Sequence, residues 1–224
     1  MEITPIAHIH SDFKEKFGIP RQSGLVESLR AEVIFTPPCR VPEAVRGLED
    51  FSHIWLIWEF SQARRENWSP TVRPPRLGGN RRVGVFATRS PFRPNSLGLS
   101  AVRLESVEAD TPQGPVLHVS GADLLDGTPI YDIKPYIPYA DAHPEASGGF
   151  TDRMPRVLLA VDCPPALLER VPTEKREALL ALLAQDPRPS YQDDPGRVYG
   201  MAFAEFQVRF TVDGGKLRVV EITK

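Results

Sequence analysis

The residues best suited to chemistry lie in a loop at positions 88–96, between two short apolar runs. Pro91 and Pro94 stiffen this loop, because each fixes its backbone φ angle and lacks an amide donor. The same loop contains Arg89 and Arg93. A stiff turn that displays two guanidinium groups is costly to order unless an anion docks against it. The pattern therefore predicts a binding site for a phosphate or a carboxylate.

The charge around this loop points to the same chemistry. Residues 64–93 contain eight arginines, one acid and no lysine, whereas the whole chain has a formal net charge of −2. Arginine used without lysine favours planar, bidentate recognition of phosphates or carboxylates. The alternative is a solvated surface on which the arginines pair with acids elsewhere in the chain. The eight are Arg64, Arg65, Arg73, Arg76, Arg81, Arg82, Arg89 and Arg93.

Composition and length set the outer limits. Of 224 residues, 41% are hydrophobic and 25% charged, as expected for one large soluble domain or one domain with a small appendage. The N-terminus lacks a basic segment followed by an apolar one, so no signal peptide is expected. The apolar stretch Ile54–Trp58 is far too short to cross a bilayer. Cys39 and Cys163 lie far apart in sequence. Together these features predict a cytoplasmic protein without disulfides and without a membrane partner.

Short apolar segments separated by turn residues predict a mainly β fold, a barrel or a sandwich, in the first part of the chain. Strands do not alternate with amphipathic helices, which argues against a doubly wound sheet. A helix is predicted at Thr173–Gln185, with Thr173 as its N-cap, after a helical piece at Pro165–Arg170. Ala202–Phe210 and Leu217–Ile222 read as a closing hairpin. The predicted strands are Ile3–Ile9, Ala31–Phe35, His53–Phe60, Val83–Thr88, Leu97–Val107, Val116–Ser120 and Ile130–Ile133.

A change in composition at residues 140–149 predicts a linker. The sequence therefore predicts a β-rich domain at residues 1–140 and a small α+β domain at residues 141–224.

Several familiar chemistries find no support. The segment Gly78-Gly79-Asn80 lacks the strand-to-helix context that a Walker loop or a Rossmann fingerprint needs. The five histidines show no metal-ligand spacing, so no metal is expected. Neither cysteine has the basic surroundings of a thiolate nucleophile. Ser90 and Ser96 lack the nucleophile-elbow pattern.

Three further polar segments interrupt the apolar pattern. Within residues 121–136, a predicted turn at Asp126–Pro129 precedes an extended stretch of alternating polar residues. The plainest interpretation of this segment is a hairpin turn followed by an edge strand. The other two segments are Gly18–Gln22 and Ser61-Gln62, which follows the aromatic strand.

Together these segments resemble the TrmO (TsaA-like, YaeB-like) family of tRNA methyltransferases, and the resemblance covers nearly the whole chain. It implies an N-terminal β-barrel that binds S-adenosylmethionine without a Rossmann fold, followed by a small α+β domain. It also implies a homodimer with the cofactor near the subunit interface, and N6-methylation of threonylcarbamoyladenosine at tRNA position 37. The matching stretches are PRQ at 20–22, VRGLEDFSHIWLIWEF at 45–60, TVRPPRLGGN at 71–80, GVFATRSPFRPNSLGLS at 84–100, DLLDGTPIYDIKPY at 123–136, DPRPSY at 186–191 and YGM at 199–201.

The resemblance also implies which residues contact the cofactor. At residue 61 the chain departs from the family pattern, because a histidine often precedes the glutamine where this chain has a serine. The implied contacts are Pro20, Arg21, Gln22, Ser61, Gln62, Arg89, Leu99, Asp126, Gly127, Thr128 and Pro129.

Methyl transfer of this kind needs neither a metal nor a covalent nucleophile. Holding donor and acceptor in line can supply roughly 7–11 kcal/mol of the barrier. The proton on N6 must leave, and Asp126, Asp132 or solvent are the candidate acceptors.

The substrate implied by the resemblance carries a carboxylate on its threonyl group. We expect Arg93, or failing that Lys134, to bind this carboxylate, with Asn95 and Tyr136 shaping the pocket. The arginines from Arg64 to Arg82 would bind the phosphates of the anticodon stem-loop.

Two other classes of protein remain open from the sequence. A non-catalytic RNA-binding β-barrel would also carry basic loops. A small-molecule phosphoester or acyl enzyme using Asp126 and Lys134 is the weaker alternative, because metal ligands and a nucleophile motif are missing. Binding of the cofactor in the absence of RNA would separate the methyltransferase from the RNA-binding module.

Overall fold

The computed structural model describes residues 2–63, 67–77, 81–153, 157–189 and 194–224. No helix in these ranges is long and apolar enough to cross a membrane. The strands are β1 Ala7–Ser11, β2 Arg30–Phe35, β3 His53–Glu59, β4 Thr71–Val72, β5 Val83–Gly84, β6 Leu97–Glu108, β7 Val116–Ser120, β8 Pro129–Pro135, β9 Ala160–Asp162, β10 Tyr199–Phe203, β11 Phe206–Asp213 and β12 Lys216–Thr223. The α-helices are α1 Pro138–Asp141, α2 Pro165–Leu168 and α3 Thr173–Ala184.

Six strands close into an antiparallel barrel in the order β1-β2-β7-β6-β3-β8. The ring closes where β8 pairs with β1, at Ala7 opposite Ile130. Because β8 also pairs with β3 along most of its length, it is an internal strand, and its interpretation as an edge strand is wrong. The mainly β fold with a barrel is confirmed.

Strand β3 shows how the sequence fills the barrel. Successive side chains of a strand point to opposite faces of the sheet. Ile54, Leu56 and Trp58 are buried in the barrel core, whereas Trp55 and Ile57 between them are partly exposed. The polar residues Ser61 and Gln62 follow the end of β3 and lie at the rim of the barrel.

The C-terminal part forms a four-stranded sheet in the order β10-β11-β12-β9, with β9 parallel to β12. Helix α3 packs against this sheet through Leu179, Leu182 and Leu183, all fully buried. The small α+β architecture expected after the barrel is confirmed.

The connection between β1 and β2 belongs to the C-terminal core rather than to the barrel. Phe13, Val26 and Leu29 are buried in the same cluster as α3. Lys175 Nζ on α3 also donates to both carboxylate oxygens of Asp12, at 2.6 and 2.7 Å. The two parts of the chain are thus joined by this segment, and the domain division at residue 140 stays a prediction.

Several local predictions differ from the structure. Thr173 is the first residue of α3 rather than its N-cap, which is Pro172, and no side chain caps the helix. The predicted strand Ala202–Phe210 is two strands, β10 and β11, separated by a turn in which Ala204 has a φ of 53°. Only Val83–Gly84 of the predicted strand Val83–Thr88 forms a strand, because the chain then makes a helical turn at Val85–Ala87.

Candidate functional site

A cavity of about 510 Å³ lies at the barrel rim where β3 ends and β6 begins. Eight of the eleven residues predicted to contact the cofactor line this cavity. They come from the insert between β1 and β2, the segment after β3, the arginine loop, strand β6 and the connection before β8. The eight are Pro20, Arg21, Gln22, Ser61, Gln62, Arg89, Leu99 and Thr128.

Side-chain hydrogen bonds tie the segments of the cavity together. Arg89 Nη1 donates to Gln22 Oε1 across 67 positions of sequence, and Gln22 Nε2 donates to the carbonyl of Arg21. Arg21 Nη2 in turn donates to the carbonyl of Arg188, at 3.4 Å, in the C-terminal part. Lys16 Nζ donates to the carbonyl of Gln62. The short N-terminal insert therefore forms one wall of the cavity.

The remaining three predicted contacts, Asp126, Gly127 and Pro129, are not among the residues that line this cavity. The carboxylate of Asp126 lies in a second, charged cavity of about 420 Å³. It accepts hydrogen bonds from Lys14 Nζ at 2.6 Å and from the amide of Ser11 at 3.1 Å, and His10 Nδ1 lies 3.4 Å away.

Ion pairing decides the protonation of Asp126. Its partial burial raises the pKa, but the Lys14 ammonium, the Ser11 amide and the nearby His10 outweigh burial, so that the pKa of Asp126 is lowered overall. This carboxylate is therefore ionised at neutral pH and occupied by protein donors.

Arg93, predicted to bind the threonyl carboxylate, lines the first cavity. Its guanidinium also donates to three carbonyls of its own loop: Ser90 at 3.1 Å, Thr88 at 2.6 Å and Val85 at 3.4 Å. The structure thus gives Arg93 a second task, which is to hold the loop that carries Arg89. Its role toward the substrate stays a prediction.

The other predicted substrate residues do not line the cavity. Asn95 is an exposed residue of the loop. Lys134 Nζ pairs with Asp132 Oδ2 at 2.8 Å, and the ring of Tyr136 packs against Trp55 at 5.5 Å between centroids. Since the amide of Tyr136 bonds to the carbonyl of His53 at the start of β3, this group lies toward the far end of that strand.

A buried polar chain at the cavity wall was missed by sequence reasoning. The indole Nε1–H of Trp58 donates to Ser100 Oγ at 3.0 Å, and the Ser100 hydroxyl donates to Asp123 Oδ1 at 2.6 Å. Burial raises the pKa of Asp123, and the hydrogen bond from Ser100 and the charge of Arg89 offset this only in part. Asp123 is the first residue of the DLLDGTP motif, and its position directly before a buried leucine was the available signal.

Gly98 lets the backbone of β6 pass close to this chain. A Cβ atom at residue 98 would lie 2.3 Å from Cε2 of Trp58, far inside contact distance. The rings of Trp58 and Phe60 lie 4.3 Å apart and form an apolar wall. Gly98 in the stretch SLGLS at 96–100 is thus required sterically, which the sequence alone did not reveal.

Glu59 is a second buried carboxylate at the cavity. Its Oε2 accepts a hydrogen bond from the Tyr131 hydroxyl at 2.7 Å. Burial of a charged group is costly unless hydrogen bonds compensate it, and the bond to Tyr131 supplies such compensation.

An exposed aromatic pair flanks the neighbouring β4–β5 hairpin, with Trp68 before β4 and Phe86 after β5. Trp68 and Phe86 are 48% and 74% exposed, and their rings stack at 6.1 Å with 25° between planes. Arg81 and Arg82 are exposed on the same hairpin. Stacked aromatic rings next to guanidinium groups suit unpaired bases and phosphates.

Part of the predicted basic surface lies outside the described residues. This holds for Arg64, Arg65 and the side chain of Arg76, as well as for Gly78-Gly79-Asn80 and for the last two residues of DPRPSY. In the described ranges, no group of three or more His, Cys, Asp or Glu side chains is arranged to hold a metal ion.

The fold and the site together define a class: a β-barrel protein with a cationic ligand cavity at its rim, beside a basic and aromatic surface suited to nucleic acid. Residues 8–142 match the family model of the tRNA-methyltransferase O N-terminal domain, and residues 159–224 match that of the TrmO C-terminal domain. The chain belongs to the TrmO family, which confirms the resemblance found in the sequence.

Relatives and solved structures agree with this membership. The chain is 45% identical over 215 residues to a tRNA (adenine(37)-N6)-methyltransferase of Escherichia coli (strain K12), covering 92% of this chain and 91% of the relative. It is also 45% identical to a putative S-adenosylmethionine-dependent methyltransferase of Pseudomonas aeruginosa, covering 93% and 91%. A crystal structure of TrmO from Pseudomonas aeruginosa superimposes with a TM-score of 0.81 at 37% identity, covering all of this chain and 98% of that one.

Proposed function

We propose that the protein is an S-adenosylmethionine-dependent tRNA methyltransferase that methylates N6 of threonylcarbamoyladenosine at position 37. The observation that carries the proposal is the assembly of the cavity. Eight residues implied by the family pattern come from segments as far apart as Pro20 and Thr128, and they line one cavity of about 510 Å³. That volume is within the usual range for small-molecule sites, about 300–1,000 Å³.

The chemistry of the cavity fits the cofactor. Guanidinium groups suit its carboxylate, the buried carboxylates suit its cationic groups, and the Trp58 and Phe60 rings offer apolar contact. When bound, S-adenosylmethionine supplies an electrophilic methyl group on its sulfonium.

The protein contributes mainly position. The loop that carries Arg89 is braced by Arg93 and two prolines, and the insert at Pro20–Gln22 is anchored to the C-terminal part. A rigid cavity of this kind holds donor and acceptor in line, which can lower the barrier by roughly 7–11 kcal/mol.

The proton on N6 leaves to one of three acceptors: Asp126, Asp132 or solvent. Both carboxylates are ion-paired and outside the cavity lining, so solvent is the acceptor that needs no rearrangement. Arg93, or failing that Lys134, binds the threonyl carboxylate, and Asn95 and Tyr136 shape the substrate pocket.

The surface of Trp68, Phe86, Arg81 and Arg82 receives the anticodon stem-loop. Stacking of one base on an aromatic side chain contributes about 1–3 kcal/mol, so Trp68→Ala should weaken tRNA binding by roughly 5- to 150-fold. Arg82→Ala should reduce the salt dependence of tRNA affinity by about one phosphate contact. Filter binding at several salt concentrations measures both effects, and a flat response to salt would contradict the assignment.

The protein acts in the cytoplasm as a homodimer with the cofactor near the subunit interface. Leu99 supports this assembly, because it lines the cavity and is nevertheless 53% exposed. Analytical ultracentrifugation of the wild-type protein and of Leu99→Glu would test it, with the variant expected to shift toward monomer.

Methyl incorporation from labelled S-adenosylmethionine tests the proposed reaction directly. The acceptors are tRNA with and without the threonylcarbamoyl group at position 37, and we expect incorporation only into the modified tRNA. Incorporation into neither, with cofactor binding intact, would leave a methyltransferase with another acceptor. Absence of cofactor binding would favour the non-catalytic RNA-binding module, which the aromatic and basic hairpin would serve equally well.

A further inference from the structure

Asp123 is a cavity residue whose position is fixed by the fold. Its Oδ1 accepts a hydrogen bond from the hydroxyl of Ser100. The indole of Trp58 donates to that hydroxyl oxygen and orients it. Trp58 is buried in the barrel core, where Gly98 gives its ring the necessary space. The carboxylate is therefore held at the cavity wall by a chain of hydrogen bonds rooted in the barrel interior.

The surroundings of Asp123 lack a direct cationic partner. Within the described ranges, no Lys, Arg or His nitrogen lies within ion-pair distance of its carboxylate, whereas Asp126 has Lys14 and His10 and Asp132 has Lys134. Burial consequently raises the pKa of Asp123, with the charge of Arg89 acting only from a distance. A partly buried carboxylate without a cationic partner is stabilised when a cation binds beside it.

Arg89 has more hydrogen-bond donors than the described residues accept. In the part of the chain that the structure describes, its guanidinium donates only to Gln22 Oε1, although a guanidinium has five donors in a planar fork. Its remaining donors suit a carboxylate. In the described residues, a carboxylate without a cationic partner and a guanidinium without an anionic partner thus line the same cavity.

We propose that Asp123 is the ammonium-binding carboxylate of the cavity, and that Asp123 and Arg89 together bind the zwitterionic amino-acid end of S-adenosylmethionine. This inference rests on the proposed function, because it names the subsite of the same cofactor. Asp123 is a better ammonium ligand than Glu59, whose carboxylate already accepts the hydroxyl of Tyr131.

The test measures ligand binding by calorimetry and requires no turnover. S-adenosylhomocysteine has the same amino-acid end as the cofactor but no sulfonium charge, so its ammonium is the only cation under study. Its desamino analogue lacks that ammonium. Both ligands are titrated into the wild-type protein, into Asp123→Asn, and into Asp213→Asn, which removes an exposed carboxylate of the β11–β12 hairpin as a control.

We expect Asp123→Asn to weaken S-adenosylhomocysteine binding by roughly 10- to 100-fold, the usual effect of losing one charge-assisted hydrogen bond. The desamino analogue should bind the wild type and Asp123→Asn equally. The wild type should itself prefer S-adenosylhomocysteine over the desamino analogue by the same factor, a result that does not depend on any variant. Asp213→Asn should behave as the wild type with both ligands.

Three outcomes would overturn the inference. Equal weakening of both ligands by Asp123→Asn would show that Asp123 only shapes the cavity. Unchanged affinity of Asp123→Asn for S-adenosylhomocysteine would refute the subsite while leaving the proposed function standing. Failure of the wild type to bind S-adenosylhomocysteine would remove the proposed function and the subsite with it.

Thermal unfolding provides a second readout that separates a binding role from a structural one. Since Asp123→Asn removes a partly buried charge and keeps an acceptor for Ser100, the ligand-free variant should melt at or above the wild-type temperature. Its stabilisation by saturating S-adenosylhomocysteine should be smaller than that of the wild type. A variant that melts far below the wild type without ligand would show that Asp123 is structural.

Discussion

Asp123 and Asp126 are three residues apart in one motif, yet they lie in two cavities and their pKa values are shifted in opposite directions. Asp126 has Lys14, His10 and the Ser11 amide around it, and its pKa is lowered. Asp123 accepts hydrogen bonds from neutral groups, among them the Ser100 hydroxyl and the Ser23 amide, and burial raises its pKa. Among the described residues, the carboxylate of Asp126 is paired with cationic side chains, whereas Asp123 in the rim cavity accepts hydrogen bonds from neutral groups.

The difference has a physical meaning. A carboxylate paired with protein cations contributes stability and offers little to a ligand. A buried carboxylate without such a pair costs stability, and shifts of this kind concentrate at functional sites. The comparison therefore supports the proposal that the rim cavity binds the ligand, while Asp126 in the charged cavity is paired within the chain.

The largest expected effect comes from filling the space beside Trp58. Gly98→Val places a Cβ atom 2.3 Å from the indole ring and must displace the Trp58–Ser100–Asp123 chain. We expect cofactor affinity to fall by at least about 100-fold, with an overpacking cost of roughly 1–3 kcal/mol in stability. Calorimetry and urea unfolding measure the two effects.

Gly200→Ala is the matched control for this substitution. Gly200 is also in a strand, but a Cβ atom there meets nothing within 4 Å. Wild-type affinity in Gly98→Val would mean that the wall of the rim cavity is not required for the cofactor.

The next largest effect is on ligand affinity, and it is measured by removing one cationic side chain from each cavity. Arg89→Ala should weaken binding of S-adenosylhomocysteine by roughly 10- to 100-fold, because a charge-assisted contact is lost. Lys14→Ala removes the partner of Asp126 and should change that affinity by less than about twofold, while it lowers stability. Calorimetric titration of S-adenosylhomocysteine into both variants under one set of conditions gives the ratio of their affinities.

This pair of variants can break the comparison. If Lys14→Ala weakens the ligand as much as Arg89→Ala does, the charged cavity belongs to the cofactor site. The family pattern that assigns Asp126 to the cofactor would then hold through its side chain.

The smallest effect is a difference in the pH dependence of stability. The lowered pKa of Asp126 means that its contribution is present above its unfolded-state pKa, about 3.9, and is lost as the pH falls through its lower folded-state pKa. The raised pKa of Asp123 has the opposite sign: stability is lost as the pH rises from about 3.9 through the folded-state value.

Urea unfolding of the two Asn variants between pH 3 and pH 7 measures this difference. Relative to the wild type, Asp126→Asn should be less stable at pH 7 and Asp123→Asn more stable, with both differences shrinking toward low pH. If both variants were more stable than the wild type at pH 7, or both less stable, the contrast between Asp123 and Asp126 would be contradicted.

Much of the fold could be predicted from local patterns. The apolar segment His53–Phe60 was predicted as a strand and forms β3 of the barrel, and the turn residues between such segments predicted a mainly β fold. Local patterns failed where a local conformation competed with them, as at Val85–Ala87, where a helical turn interrupts the predicted strand, and at Ala204, where a left-handed residue divides one predicted strand into two.

The candidate site was predicted in part, through motif resemblance rather than periodicity. The motifs included Gln22, Arg89 and Thr128, which the fold brings to one cavity. They also included Asp126, Gly127 and Pro129, which it does not. Sequence reasoning passed over Ser100, because a serine within an apolar strand carries no signal of its partner until the strand register is known.

The sequence by itself determined the approximate positions of the six barrel strands, the family and the stiff arginine loop, since these depend on neighbouring residues and on motif identity. Only the tertiary structure decided which carboxylate faces which cavity. Closure of the barrel through β8 sets the register of its strands and places Ser100 beside Asp123. The connection at residues 12–29 joins the C-terminal core and brings Lys14 to Asp126. Both contacts join residues far apart in sequence, and such contacts depend on register and on packing between elements, which no local pattern encodes.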